Sequence, residues 1–137
     1  MAMHLTASIT LLLLVLLGVT SEAPPSNETP VTIEVRNSLV PGEARKIYRT
    51  SVPYRAILLG AMRRLQETTN FKFTYTEDKN YGPFLTSVNG LYGDFSQRTY
   101  WQLLVEKPDG TIIRADVGIG CLIPTENDKI LLIFSTY

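Results

Sequence analysis

The run Arg98-Thr99-Tyr100-Trp101-Gln102-Leu103-Leu104-Val105 carries the only tryptophan of the chain and lies downstream of Tyr81-Gly82-Pro83-Phe84-Leu85-Thr86-Ser87-Val88-Asn89-Gly90. An indole, an amide and aliphatic groups in close succession on a strand offer a flat apolar ligand both a stacking surface and a hydrogen-bond handle. Trp101 would supply a broad contact with one N–H donor, Gln102 an amide, and Gly82 a place where the main chain can approach a ligand closely. The same residues also have a plainer reading. A lone tryptophan on an alternating strand packs into a core, Gly82-Pro83 makes a turn, and Gln102 is solvated. Asp94 and Asp116 have no general-acid partner that the sequence identifies, so they are assigned no catalytic role.

Histidine and cysteine narrow the chemistry further. Ile9 to Leu17 is an apolar run followed by the small residues Gly18-Val19-Thr20-Ser21 and then a polar, proline-rich stretch. That order marks residues 1–21 as a secretory signal peptide, although Met1 to Ser8 lack Lys and Arg. The run is shorter than the about 20 apolar residues a membrane span needs, and no later segment serves. The product expected is secreted and extracellular, with no membrane span. Cleavage after Ser21 removes His4, the only histidine, and with it any imidazole base or metal ligand. Cys121 is the only cysteine, so neither an internal disulfide nor a zinc site can form. Its setting, Ile119-Gly120-Cys121-Leu122-Ile123, predicts a buried thiol. These absences argue against an enzyme.

Thirteen Lys and Arg balance thirteen Asp and Glu, and the cations are scattered. Such a chain is no partner for nucleic acid or anionic membranes. Arg63-Arg64, with Arg55 before them, fit the solvated face of a helix. Residues 22–30 are rich in Pro, Ser, Thr and Glu and read as a flexible leader. Asn27-Glu28-Thr29 within it is a glycosylation sequon, with Pro30 directly after it weighing against its use.

The elements that must position these residues follow from periodicity. Val31 to Arg36 alternates as a strand, Asn37 to Glu43 turns, and Lys46 to Ser51 completes a hairpin. Tyr54, Ile57, Leu58, Ala61, Met62 and Leu65 line one face of a helix from Tyr54 to Glu67, started by Ser51-Val52-Pro53. Further strands are predicted at Phe71–Thr76, Phe84–Val88, Tyr100–Glu106, Thr111–Ala115 and Lys129–Ser135. Ile130 to Phe134 is apolar at every position, as a central strand covered on both faces would be. The fold class is α+β: a mostly antiparallel or mixed β-sheet packed on a single helix, β-grasp-like, as one domain over residues 31–137.

Tyr81-Gly82, Ser87-Val88-Asn89-Gly90, Thr99-Tyr100-Trp101-Gln102-Leu103-Leu104 and Ile123-Pro124 occur in the order found in the C-terminal β-domain of vertebrate cobalamin carriers, the transcobalamin, intrinsic factor and haptocorrin family. The chain resembles that domain over Val31 to Tyr137. The resemblance implies cobalamin (vitamin B12) or a related corrinoid as bound ligand rather than catalytic cofactor. It implies a ledge of Tyr81, Gly82, Pro83, Phe84 and Leu85, a wall of Trp101, Gln102 and Leu103, and Pro124 at the pocket edge. In that family a large helical domain holds the rest of the vitamin. This chain has no counterpart of it, so a helical partner or a homodimer would have to close the other face. A secreted protein-interaction module that keeps the fold without the vitamin is the rival reading; a carboxylate-pair hydrolase built on Asp94, Glu106 and Asp116 is a weaker one.

Overall fold

The computed structural model describes residues 27–80 and 82–137; residues 1–26, and with them the predicted signal peptide, lie outside the described residues, as does Tyr81. Among the described residues, eight strands and one helix follow one another as β1 (Glu28–Asn37), β2 (Lys46–Pro53), α1 (Leu58–Thr68), β3 (Phe73–Asp78), β4 (Gly82–Val88), β5 (Leu91–Tyr92), β6 (Thr99–Glu106), β7 (Ile112–Arg114) and β8 (Lys129–Thr136), with a short 3-10 turn at Phe95–Gln97 before β6. β1 begins at Glu28, inside the segment whose composition reads as a leader, because Glu28 to Pro30 pair with Ser51 to Pro53 of β2.

Five strands form one sheet in the order β2-β1-β8-β6-β7, and β3-β4-β5 form a second. The β1–β8 pairing is parallel and the rest are antiparallel, so the large sheet is mixed and β8 is its centre. Ile130, Leu132 and Phe134 of β8 belong to the core shared with the helix. Leu131, on the opposite face between Glu34 of β1 and Leu104 of β6, is also fully buried. A strand covered on both faces tolerates an apolar side chain at every position, which is the pattern of its sequence. The described residues form an α+β fold, with a mixed sheet gripping one helix.

The helix buries Leu58, Leu59, Ala61, Met62 and Leu65, the stripe its period predicts. Its start differs from the predicted one. Arg55 has a left-handed backbone (φ 65°) that stops a helix from running through it, and Tyr54, expected on the core face, is 72% exposed. No side chain caps the first turn at Ile57. Instead the N–H groups of Leu58 and Leu59 donate to the carbonyls of Leu122 (2.7 Å) and Ile119 (2.9 Å), so a distant turn satisfies donors that a helix start leaves open. The same turn corrects the expectation for Cys121. Ile119 goes inward at 2% exposure and Leu122 is half-buried, whereas Cys121, between them, is exposed.

Candidate functional site

Alternation along β6 turns Trp101, Leu103 and Val105 toward the core and Tyr100, Gln102, Leu104 and Glu106 to the other face. Trp101 is 8% exposed, its ring centroid lies 5.2 Å from that of Phe134, and its Nε1–H donates to the carbonyl of Leu91 at 2.8 Å. The indole donor anticipated for a ligand is therefore committed within the fold, where it ties β5 to β6.

The strand's edge offers what the indole does not. β7 pairs only with Leu104 to Glu106, and the Ala115 N–H extends that pairing to the carbonyl of Leu103 (3.2 Å). Toward the start of β6, Asp94 and Thr99 exchange two backbone hydrogen bonds of 3.1 and 3.0 Å. Trp101 lies between these contacts. Opposite it in β8, Phe134 turns its carbonyl away from β6 to the N–H of Ser38 (3.0 Å). In an antiparallel pair the facing residue then turns its own groups outward too, so the N–H and C=O of Trp101 point to the edge. No strand pairs there among the described residues.

A groove of about 240 Å³ opens along this stretch. Pro83, Phe84 and Leu85 of β4 form one wall, Tyr100 to Leu103 of β6 the other, and Arg114, Ala115 and Val117–Ile119 the floor and end. Phe84 stands at its mouth, 52% exposed. Six of the sequence-selected residues, Pro83, Phe84, Leu85, Trp101, Gln102 and Leu103, thus meet across one groove although the chain separates them by up to twenty positions. Gly82 has φ 73° at the start of β4 and turns the chain into the ledge without lining the groove. Pro124 does not join them: it is buried and lines a different cleft, with Asn27, Tyr54 and Arg55. The turn that carries it is drawn instead to the start of α1 and the end of β2. Asn27 is exposed, and its carbonyl accepts the Tyr54 N–H at 2.6 Å.

Arg114, Ala115 and Val117–Ile119 escaped the sequence reading. Their signal was the spacing of Gly118 and Gly120. A Cβ on Gly120 would sit 2.7 Å from the Pro83 ring, and one on Gly118 would sit 3.3 Å from the Pro83 carbonyl, so both glycines let this loop press on the β4 ledge. A second groove, of about 340 Å³, continues from the first; it shares Phe84, Leu85, Tyr100, Trp101 and Arg114 and adds Phe95, Thr99 and Tyr137.

Asp94 and Glu106 do not converge. Asp94 caps the 3-10 turn through Ser96, and the hydrogen bonds from Ser96 hold its carboxyl below the usual aspartate range. Glu106 is at the far end of β6, paired with Lys129 at 3.3 Å, roughly 20 Å along an extended strand. Among the described residues no group of three His, Cys, Asp or Glu side chains is placed to hold a metal ion, and no helix is long and apolar enough to cross a membrane.

A family model described as Domain of unknown function (DUF4430) matches residues 56–136. Transcobalamin-1 of Homo sapiens is 34% identical over 50 residues, covering 36% of this chain and 12% of that protein. The chain thus spans about an eighth of the curated relative's length. Among solved structures, haptocorrin in complex with Cbi superposes with a TM-score of 0.68 at 24% identity, over 85% of this chain and 27% of that one. A protein from Ruminococcus gnavus ATCC 29149, described only provisionally as metal binding, superposes with a TM-score of 0.56 at 16% identity, over 80% of this chain and 98% of that one. Both structures share the fold, and the Transcobalamin-1 match together with the haptocorrin superposition makes the domain transcobalamin-like.

Proposed function

The chain belongs to the family described as Domain of unknown function (DUF4430), and from its transcobalamin-like fold we propose that it is a secreted corrinoid-binding module, a carrier rather than a catalyst, that covers one face of cobalamin. One observation carries this reading. The β4 ledge and the open edge of β6 face each other across an apolar groove in which Trp101 presents an unused backbone N–H and C=O. The rim of a corrin ring bears primary amides, and a planar amide complements a strand edge because it offers a donor and an acceptor side by side. Phe84, Leu85 and Leu103 supply apolar contact to the ring, and Gln102 adds a side-chain amide at the rim. His4 is the only histidine of the sequence, and none of the residues lining the groove carries an imidazole for cobalt.

Titration calorimetry tests the proposal. Dicyanocobinamide, with its amides intact, binds; dicyanocobyrinic acid heptamethyl ester, which cannot donate from its rim, binds at least tenfold more weakly. Absence of heat with every corrinoid overturns the reading. A second reading, a protein-interaction module without the vitamin, is favoured by the exposure of Phe95 (87%) and Tyr137 (60%), since exposed aromatic rings mark contact surfaces. Tryptophan emission unchanged by cobalamin would favour it.

A further inference from the structure

We infer that Asn27 is an N-glycosylation site and that the cleft beside it seats the first N-acetylglucosamine of the glycan, with Tyr54 as the ring it stacks on. The inference rests on the secreted part of the reading above and on none of its corrinoid part, since this cleft shares no residue with the groove beside Trp101.

The sequence supplies the acceptor. Asn27-Glu28-Thr29 is a sequon, and Asn27 is exposed. In the secretory pathway the Asn27 side-chain nitrogen attacks the anomeric carbon of an oligosaccharide carried on a polyprenyl diphosphate. A C–N bond forms, the C–O bond to the diphosphate breaks, the diphosphate leaves with the electron pair, and the amide gives up one proton. Pro30, directly after the sequon, makes occupancy partial rather than nil. It also favours an extended Thr29, as β1 requires.

The fold supplies what a sequon does not. The Tyr54 N–H donates to the Asn27 carbonyl at 2.6 Å, which continues the β1–β2 ladder by one pair beyond Glu28 and Pro53. Facing residues of an antiparallel pair carry their side chains on one face, with Cβ atoms roughly 4.5–5.5 Å apart. Tyr54 is therefore the cross-strand neighbour of the acceptor, and it is 72% exposed. Both line a cleft of about 770 Å³, larger than either groove beside Trp101. Ile123, 40% exposed, and Pro124 continue its apolar wall. Arg55 and Glu126 line it as well and form no ion pair among the described residues. A pyranose presents C–H groups on its face and hydroxyls around its rim. An aromatic ring suits the face, and uncommitted donors and acceptors suit the rim. The helical period assigned Tyr54 to the core; the turn that keeps it out of the helix places it opposite the sequon instead.

Two measurements test the inference, and neither contains a corrinoid. In the first, the full chain is secreted from cultured animal cells and treated with peptide-N-glycosidase F. A loss of mass, with Asn27 converted to aspartate in the peptide that carries it and no loss in Asn27→Gln, supports the attachment. Recovery from the medium with no such loss overturns it and leaves secretion standing; absence from the medium overturns both. In the second, the glycan is trimmed by an endoglycosidase to a single N-acetylglucosamine, and its acetyl methyl resonance is followed by NMR. Stacking on Tyr54 moves that resonance upfield of its position in the urea-unfolded chain. Tyr54→Phe keeps the displacement and Tyr54→Ala abolishes it. A methyl resonance that is the same in the folded and unfolded chains, or unmoved by Tyr54→Ala, overturns the seat. Circular dichroism of Tyr54→Ala confirms that the fold survives, as the exposure of the side chain predicts.

Discussion

Glu34 carries a carboxylate into a site with 1% exposure, beneath Arg36 and with Lys129 Nζ at 3.5 Å. Burial raises its pKa, but the hydrogen bonds and charges of Arg36 and Lys129 outweigh burial and hold the carboxyl below the usual glutamate range. A group whose folded pKa is depressed stabilises the fold above its unfolded pKa, about 4.3 for glutamate, and loses that contribution as pH falls through the folded value. The expected outcome is a stability plateau above about pH 5 and a decline in more acid solution. Glu34→Gln should lower the plateau by about 1–3 kcal/mol, because the cations lose their counter-charge, and should make the acid decline shallower; urea midpoints from pH 3 to 7 read both. Trp101 illustrates how a residue's type can be legible while its role is not. Its aromatic bulk announced a contact surface, but whether the indole N–H faces a ligand or the Leu91 carbonyl depends on β5, two residues long and without a sequence pattern of its own. Trp101→Phe keeps most of the packing and should cost about 1 kcal/mol for the lost hydrogen bond, measured by chemical denaturation, with cobinamide affinity changed less than threefold because the strand edge is intact.

At the scale of elements, the long periodic segments were legible and the junctions were not. The helical stripe and the uninterrupted apolar run of β8 are fixed by which faces are buried, which is why Leu65→Ala, at a fully buried position, should lose about 2–5 kcal/mol. The helix start was misread because Tyr54 and Ile57 satisfy the period yet precede the helix, whose first N–H groups are capped by carbonyls some sixty residues away. Cys121 was misplaced for a related reason: apolar neighbours suggest burial, but the turn that offers those carbonyls points the thiol outward. The β4 ledge depends on Gly120, where an added methyl group would overlap the Pro83 ring. Gly120→Ala should cost about 1–3 kcal/mol through overpacking and weaken cobinamide binding more than tenfold by displacing Pro83 and Phe84. Calorimetry on the folded variant separates the two effects.

For the molecule as a whole, size and coverage decide affinity. Small-ligand sites enclose roughly 70–90% of their ligand, and a groove of about 240 Å³ grips only one rim of a molecule as large as cobalamin. The monomer should therefore bind cyanocobalamin no more tightly than micromolar, and tight binding should require a helical partner or a second copy over the exposed face. Calorimetry together with light scattering checks this: nanomolar binding at a monomeric mass contradicts it, whereas affinity that rises with protein concentration supports it.

Composition and periodicity by themselves determined the α+β class, the central strand and the helical face, because each follows from which side chains leave water within one element, whereas the two segments that meet at the groove were singled out by the resemblance to the cobalamin carriers. Tertiary structure alone decided that Pro124 belongs to another cleft, that Arg114 and the Gly118–Gly120 loop complete the groove, and that Trp101 offers its backbone rather than its indole. These outcomes depend on where β7 stops and which carbonyl meets which N–H across the fold. Such pairings join residues far apart in the chain, and no local pattern of side chains encodes them.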